Sequence, residues 1–310
     1  MALTFTTFDV FTTTPFRGNP LAIVQVPTAV KLSQDQKQLI AREFNLSETV
    51  FLHEQTVDDI LARRARIDIF TAIAEVAFAG HPTIGTANFL LYHLNPGTVD
   101  TLITKAGPVP FEAVTLNGER GTCLAVAHNV RVHDRPYAGR PYGEHPVVSI
   151  VNGMTAIMVR LPDLAALGAQ TANLLGTENT YTAKEQLDEG WRNGPVVSYF
   201  YVDLGYYDGE GDRVRRLRTR NLGSREDPAT GSAASGLCSF LSLLEKDDGP
   251  LTRRYEVTQG VEIGRRSEIR IQVTLNSDRT GIQEVLLSGN AVKILEGKVP
   301  IPSVETPLFE

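Results

Sequence analysis

Alternating apolar and polar positions near the N-terminus predict a pair of β-strands, at residues 3–11 and 21–26, joined by a Gly-Asn-Pro turn. An amphipathic helix is predicted from Ser33, because Ser33 and Gln36 have the spacing of a capping box and apolar residues follow at helical intervals. The stretch "SETVFL" then begins another strand. Glu48 therefore lies where the predicted helix gives way to the sheet.

The same reading continues along the chain. It predicts a helix from about Pro82 to Leu94, a hairpin between residues 100 and 129, and helices near 163–175 and 184–191. A strand covers "RVRRLRTR", residues 213–220, whose alternation suits one solvated face better than a binding patch. Another helix follows Asp227, and four strands close the chain.

Two similar stretches precede two of these helices. "HPTIGTA" begins at His81 and "DPATGSA" begins at Asp227, about half the chain apart, which indicates two related halves. The pattern predicts an α+β fold of two similar domains, each a curled, mostly antiparallel sheet around a central helix. The predicted domains are residues 1–130 and 131–310, divided in a polar connection rich in Pro and Gly, with the last strand free to return to the first half.

The start of a helix has its own chemistry. Asp227 followed by Pro228 is typical of an N-cap and a first helical residue, so a capping role would explain Asp227 by itself. A helix start also offers unpaired N–H groups and a partial positive charge, and the glycines of both motifs let an anion come close. Paired starts of this kind predict a site for a carboxylate or for enolate-like charge. A phosphate cofactor is disfavoured because neither motif has G-x-G-x-x-G or a P-loop lysine.

Composition narrows the class of protein. The 310 residues are 42% hydrophobic and 21% charged, which is typical of a globular protein with a substantial core. A formal net charge of -6 argues against nucleic acid or an anionic membrane as the main partner. No apolar segment is long enough to span a bilayer. Cys123 and Cys238 stand alone, so a reduced, cytoplasmic setting is expected.

Five blocks identify a resemblance. "FRGNPLAIV", "NLSETVFL", "FAGHPTIGTA", "REDPATGSA" and "TQGVEIGRRSEI" occur in the order and at the spacing typical of the PhzF-like, or phenazine-biosynthesis-like, family. The resemblance runs from Thr7 to near Lys298. It implies the diaminopimelate-epimerase-like fold, with the active site between two similar domains. It also implies cofactor-independent isomerase chemistry by proton transfer on a small carboxylic acid, in a homodimer.

The resemblance also implies particular site residues. The family's catalytic glutamate, which moves a proton between carbons of the substrate, matches Glu48. Its histidine, aspartate and serine match His81, Asp227 and Ser232, which would position the substrate or assist the transfer. Contacts to substrate are expected from the glycines and the threonine at the two motifs: Gly80, Gly85, Thr86 and Gly231.

The chain departs from related patterns at two places. Related amino-acid epimerases use two cysteines at these helix starts, whereas Ala79 and Ala229 stand in that neighbourhood here, so a two-thiol mechanism is disfavoured. The loop before the histidine has Ala72 and Ala77 in place of prolines, while Glu75 is retained. This second change bears on the identity of the substrate more than on the proton chemistry.

Alternatives remain at this point. The same groups would allow a lyase or hydratase reaction on a related acid. A non-catalytic protein that binds small carboxylates is a further alternative, and the presence of all four site residues argues against it. A metal held by Glu48, His81 and Asp227 is disfavoured, and the other histidines fit no metal-binding spacing. No metal and no cofactor are therefore expected.

Overall fold

A computed structural model describes residues 1–94, 97–139, 143–175, 187–194, 196–208, 213–223, 225–247 and 249–303. These residues form two compact units, one within residues 1–124 and 289–303 and the other within residues 125–288. No helix among the described residues is long and apolar enough to cross a membrane.

The first unit contains a mixed sheet, three α-helices and one π-helical turn. Its strands are β1 (Ala2–Val10), β2 (Asn19–Val26), β3 (Thr49–His53), β4 (Arg64–Phe70), β5 (Glu75–Val76), β6 (Thr101–Thr104), β7 (Gly107–Leu116), β8 (Glu119–Ala125) and the returning β20 (Ala291–Pro300). Its helices are α1 (Gln34–Phe44), α2 (Val57–Leu61) and α3 (Gly80–Phe89), and α3 continues into a π-helix at Leu90–Leu94.

The second unit contains the remaining elements. Its strands are β9 (Arg131–Val132), β10 (Tyr137–Gly139), β11 (Gly143–His145), β12 (Val147–Val151), β13 (Met154–Arg160), β14 (Val196–Asp208), β15 (Arg213–Leu222), β16 (Glu226–Asp227), β17 (Thr252–Gln259), β18 (Ser267–Leu275) and β19 (Ile282–Gly289). Its helices are α4 (Leu164–Gly168) and α5 (Gly231–Leu244).

The two units share one order of strand pairing. In the first, β2 pairs parallel with β3, β3 antiparallel with β4, β4 parallel with β6, and β6 antiparallel with β7. In the second, β13, β14, β15, β17 and β18 repeat that series of parallel and antiparallel pairs. A two-residue strand, β5 or β16, pairs with the preceding strand just before the helix in each. The internal repeat found in the motifs is therefore a repeat of topology.

Each sheet packs on its own central helix. All ten residues of α3 are buried, and α3 contacts β1, β2, β3 and β20. Helix α5 is buried along most of its length against β12, β13, β17 and β18. These apolar contacts form the core of each unit, so the helix starts at Gly80 and Gly231 are held by the surrounding sheet.

Close packing explains one glycine of the first motif. A Cβ placed on Gly85 would lie 2.5 Å from Cδ2 of Leu21 and 2.8 Å from Cγ2 of Val10. Both distances are shorter than van der Waals contact, so glycine lets α3 approach β1 and β2. This packing role was not part of the expectation that Gly85 contacts substrate.

Several local predictions are confirmed. Helix α1 begins after Ser33, whose capping box with Gln36 is formed in both directions. The basic run forms β15, and its guanidinium groups contact neighbouring side chains, for example Arg216 over the ring of Tyr207. The end of the first repeated helix also lies where expected, at Leu94, although its last turn is π-helical.

Other predictions are wrong in extent or in register. The helix expected over 163–175 is only the short α4, capped by Asp163. Of the helix expected at 184–191, the first three residues lie outside the described residues, and residues 187–191 are not helical. Asp227 is not an N-cap, because α5 begins four residues later, at Gly231, with Thr230 as its N-cap residue. Asp227 instead pairs with Asn221 in the ladder between β15 and β16.

Candidate active site

Glu48 stands at the junction between α1 and β3. Helix α1 ends at Phe44, and the left-handed backbone of its C-cap residue Asn45 (φ 49°) turns the chain. Strand β3 begins at Thr49, which pairs with Ala22 of β2 and Phe70 of β4. Because β3 is paired along both of its edges, the backbone directly after Glu48 is held in place. The Glu48 side chain is 18% exposed, and its Oε2 lies 3.3 Å from Nδ1 of His81.

His81 is the second residue of α3, and only 4% of its surface is exposed. Burial disfavours the imidazolium and lowers the pKa of His81 to about 3, although a hydrogen bond to the Pro20 carbonyl acts in the opposite direction. The imidazole is therefore neutral near pH 7, and its contact with Glu48 is not an ion pair. Its Nε2 is buried and has no hydrogen-bond partner among the described residues.

The starts of the two repeated helices differ from those of the other α-helices described. Helices α1, α2 and α4 each have a side-chain cap, from Ser33, Thr56 and Asp163. Helices α3 and α5 have N-cap residues Ala79 and Thr230 and no side-chain capping hydrogen bond. No capping side chain therefore occupies the first N–H groups of these two helices, an arrangement that suits an anion.

The second unit groups a set of hydrogen-bonding residues around Asp227. The hydroxyl of Thr230 donates to Oδ2 of Asp227 at 2.6 Å. Gln259, at the end of β17, is fully buried, and its Nε2 donates to the Asp227 carbonyl at 2.8 Å. Asn221 donates from Nδ2 to Oγ1 of Thr230 at 2.8 Å. Ser232 follows as the second residue of α5 and is half-buried.

The predicted site residues thus lie in two groups. Glu48 and His81 are together in the first unit, and Asp227 lies five residues before Ser232 in the second. Thr86 was expected to contact substrate, but it is buried, and its hydroxyl donates to the Pro82 carbonyl at 2.8 Å, within α3.

Three contributors were missed by the sequence reasoning. The Pro20 carbonyl forms a hydrogen bond with His81, while Thr230 and Gln259 donate hydrogen bonds to Asp227. Pro20 and Gln259 lie in blocks that carried the resemblance, "FRGNPLAIV" and "TQGVEIGRRSEI", and that was the available signal. Neither block shows by itself that Pro20 will form a hydrogen bond with His81 or that Gln259 will form one with Asp227.

The retained glutamate of the loop before His81 has a clear partner. Oε2 of Glu75 accepts from Nζ of Lys105 at 2.6 Å. The same loop is tied down where the N–H of Ala106 donates to the carbonyl of Ala77. In this chain, Glu75 therefore connects the loop to the turn after β6.

Comparison with known proteins decides the family. The model of the family described as phenazine biosynthesis-like protein matches residues 8–297. The chain belongs to this family. That result confirms the resemblance carried by the five blocks, and the match covers both units.

Individual relatives agree with this assignment. A protein from Pasteurella multocida described as an uncharacterised isomerase is 32% identical, over 96% of this chain and 94% of the relative. The trans-2,3-dihydro-3-hydroxyanthranilate isomerase of Pseudomonas chlororaphis is 30% identical, over 94% of this chain and 97% of its own. Like these relatives, the family member described here is an isomerase.

A solved structure supports the fold. The phenazine biosynthesis protein of the PhzF family from Bacillus anthracis has a TM-score of 0.74 to this chain at 21% sequence identity. The alignment covers 97% of this chain and 100% of that one. The prediction of two similar α+β domains with a diaminopimelate-epimerase-like fold is confirmed.

Proposed function

We propose that the protein is a cofactor-independent isomerase that moves a proton next to the carboxylate of a small acid, with Glu48 as the base. The contact between Glu48 and the neutral His81 carries this proposal. A general base must be unprotonated and must reach the substrate, and a partly exposed carboxylate beside a buried group meets both needs.

The neutral state of His81 supports the proposal that Glu48 is the base. An imidazolium 3.3 Å from Glu48 would stabilise its carboxylate and weaken it as a base. Because burial keeps His81 neutral, the imidazole adds no positive charge beside the Glu48 carboxylate. The unpartnered Nε2 of His81 adds a polar atom with which the substrate can form a hydrogen bond.

The proposed acceptor of the substrate carboxylate is an uncapped helix start, either that of α3 or that of α5. The first N–H groups of α3 and α5 receive no side-chain cap, so they can bind an anion or stabilise negative charge that develops during proton removal. We assign Asp227 and Ser232, with His81, to holding the substrate or assisting the transfer. Gly80 and Gly231 contribute through their backbone N–H groups.

The names of the relatives indicate which substrates to test first. Two of the Pseudomonas relatives, at 30% and 29% identity, are named trans-2,3-dihydro-3-hydroxyanthranilate isomerase. Trans-2,3-dihydro-3-hydroxyanthranilate is therefore the first acid to test, followed by other small unsaturated, cyclic and amino carboxylic acids. A lyase or hydratase reaction uses the same base and remains the alternative reaction class.

The deciding experiment follows deuterium uptake. The protein is incubated in D2O with each acid, and mass gain and products are recorded for wild type, Glu48→Gln and Glu296→Gln. Glu296 is a matched control, since it is an exposed glutamate in the same unit that pairs with Lys293.

We expect exchange in wild type and in Glu296→Gln, and none in Glu48→Gln. Equal exchange in Glu48→Gln would remove Glu48 as the base. Binding of acids without any exchange would favour the binding-protein alternative, and loss of water or another group from the acid would favour the lyase.

A further inference from the structure

The hydrogen bonds around Thr230 have only one consistent direction. Oε1 of Gln259 accepts a hydrogen bond from the backbone N–H of Thr230 at 3.2 Å. Nε2 of Gln259 donates a hydrogen bond to the backbone carbonyl of Asp227 at 2.8 Å. A backbone N–H can only donate and a backbone carbonyl can only accept. These two groups therefore fix which end of the Gln259 amide is nitrogen.

That orientation determines what the Thr230 hydroxyl can do. Nε2 of Gln259 lies 3.0 Å from Oγ1 of Thr230 and Nδ2 of Asn221 lies 2.8 Å from it, and both nitrogens donate. The two lone pairs of the hydroxyl are then occupied, and its single hydrogen is left for Oδ2 of Asp227, 2.6 Å away.

Thr230 is the N-cap residue of α5, but its side chain does not cap the helix. Threonine at an N-cap normally accepts a hydrogen bond from the first turn of its helix, which stabilises the helix. Thr230 makes no such bond, whereas Thr56, the N-cap of α2, does so and also donates to its own nearby carboxylate, Asp59, at 2.7 Å. The hydroxyl of Thr230 is committed to Asp227 instead of the helix.

We propose that Thr230 is a positioning residue for Asp227, with its hydroxyl direction imposed by Gln259 and Asn221. The donated hydrogen fixes the orientation of the carboxylate and favours its ionised form. This inference rests on the proposed function only in giving Asp227 a place in the reaction. The network itself is independent of the substrate.

Fixed groups surround the network. Tyr199 on β14 donates to Oε1 of Gln259 at 2.9 Å, and burial raises its pKa far above the ordinary value. Cys238 on α5 is buried with a raised pKa, and Arg220 on β15 pairs with Glu226 on β16 at 2.6 Å. Burial keeps both Tyr199 and Cys238 protonated through the acidic range in which a carboxyl titrates, so neither adds a change of charge of its own beside Asp227.

The test measures the titration of Asp227 directly. Protein labelled with 13C at the aspartate carboxyl carbons is titrated by NMR, and the Asp227 signal is assigned by its absence in Asp227→Asn. Thr230→Val keeps the shape of the side chain and removes the hydroxyl, Thr230→Ser keeps the hydroxyl, and Thr56→Val is the matched control at a capping threonine.

We expect Thr230→Val to raise the pKa of Asp227 by roughly 1, since a hydrogen bond to a charged group is lost. Thr230→Ser and Thr56→Val should leave that pKa unchanged. If Thr230→Val does not fold, Gln259→Met serves, because it frees the Thr230 hydroxyl to turn away from Asp227 and should raise the pKa by a smaller amount.

An unchanged pKa in the variant that folds, or an equal rise in Thr230→Ser, would overturn the proposal. Deuterium exchange in the same variants is the second readout: the acid limb of its pH profile should move upward with the pKa. Absence of exchange in every variant and in wild type would count against the proposed function, while the NMR titration would still decide the role of Thr230.

Discussion

Nδ1 of His81 lies 3.3 Å from Oε2 of Glu48, yet the two side chains do not form an ion pair, because burial of the imidazole keeps it uncharged. The energetic consequence is that His81 adds no positive charge beside the Glu48 carboxylate. The chemical consequence is that His81 does not weaken the carboxylate as a base, as a protonated histidine at this distance would.

The buried state of His81 predicts a pH dependence of stability. Its pKa is about 3 in the folded protein, below the ordinary value of 6.5, so the unfolded chain binds a proton that the folded chain does not. Stability should therefore fall as the pH decreases from about 6.5 towards 3, by at most about 1.4 kcal/mol per pH unit.

The variant His81→Asn isolates this effect. Burial also lowers the pKa of His93, His133 and His145, so wild type alone would report their sum. Urea unfolding between pH 4 and 7.5 should show a shallower slope of the free energy against pH in the variant. Identical slopes would mean that His81 titrates normally in the folded protein.

Shortening the proposed base should abolish most of the activity. Glu48→Asp keeps the charge but withdraws the carboxylate by one methylene, and a displacement of about 1 Å can cost roughly 100-fold in rate. We expect kcat for deuterium exchange to fall by about that factor with little change in unfolding free energy. Activity close to wild type would indicate that the carboxylate does not act at a fixed position.

A side-chain cap added to α3 should stabilise the protein and weaken its binding of substrate. The Ala79 backbone is extended (φ -150°, ψ 137°), which is the conformation of an ordinary N-cap residue. Ala79→Ser should stabilise the protein by about 1 kcal/mol through a new capping bond. The same bond would occupy an N–H group that we assign to the substrate, so KM should rise.

Thermal unfolding and exchange kinetics measured on the same Ala79→Ser preparation test this trade-off. Ser33→Ala, which removes the existing cap of α1, is the reverse control: it should lose stability and leave KM unchanged. If Ala79→Ser is more stable with an unaltered KM, the start of α3 does not bind the substrate.

A substitution at Gly85 distinguishes a role in packing from a role in contacting the substrate. In Gly85→Ala, the new methyl group meets the buried side chains of Leu21 and Val10, and overpacking of a core typically costs about 1–3 kcal/mol. Better helix propensity offsets up to about 1 kcal/mol of this. We expect a lower free energy of unfolding, measured in urea, with unchanged KM.

A second substitution identifies the cause. Leu21→Val provides space beside Gly85, so the cost of Gly85→Ala should be smaller in that background, which a double-mutant cycle measures. Additive effects would argue against the contact with Leu21. A raised KM without loss of stability would favour the original expectation of a substrate contact.

Features that depend on neighbouring residues in the chain were predictable. The capping box at Ser33 and the place of Glu48 between helix and strand follow from local patterns, and the structure has both. The start of α5 was misjudged because Asp227 and Pro228 have the local form of a helix start, whereas pairing with β15 keeps Asp227 in a strand. Local propensity was overridden there by the sheet.

By itself, the sequence determined the family, the α+β class and the repeated motif at the two central helices, because these depend on residue order and periodicity. Only the tertiary structure decided that His81 is uncharged and that the Thr230 hydroxyl is directed at Asp227. The first depends on burial of the imidazole at the start of α3, and the second on Gln259, which arrives from β17. Charge state and hydrogen-bond direction are set by groups distant in the chain, which folding brings within a few ångströms.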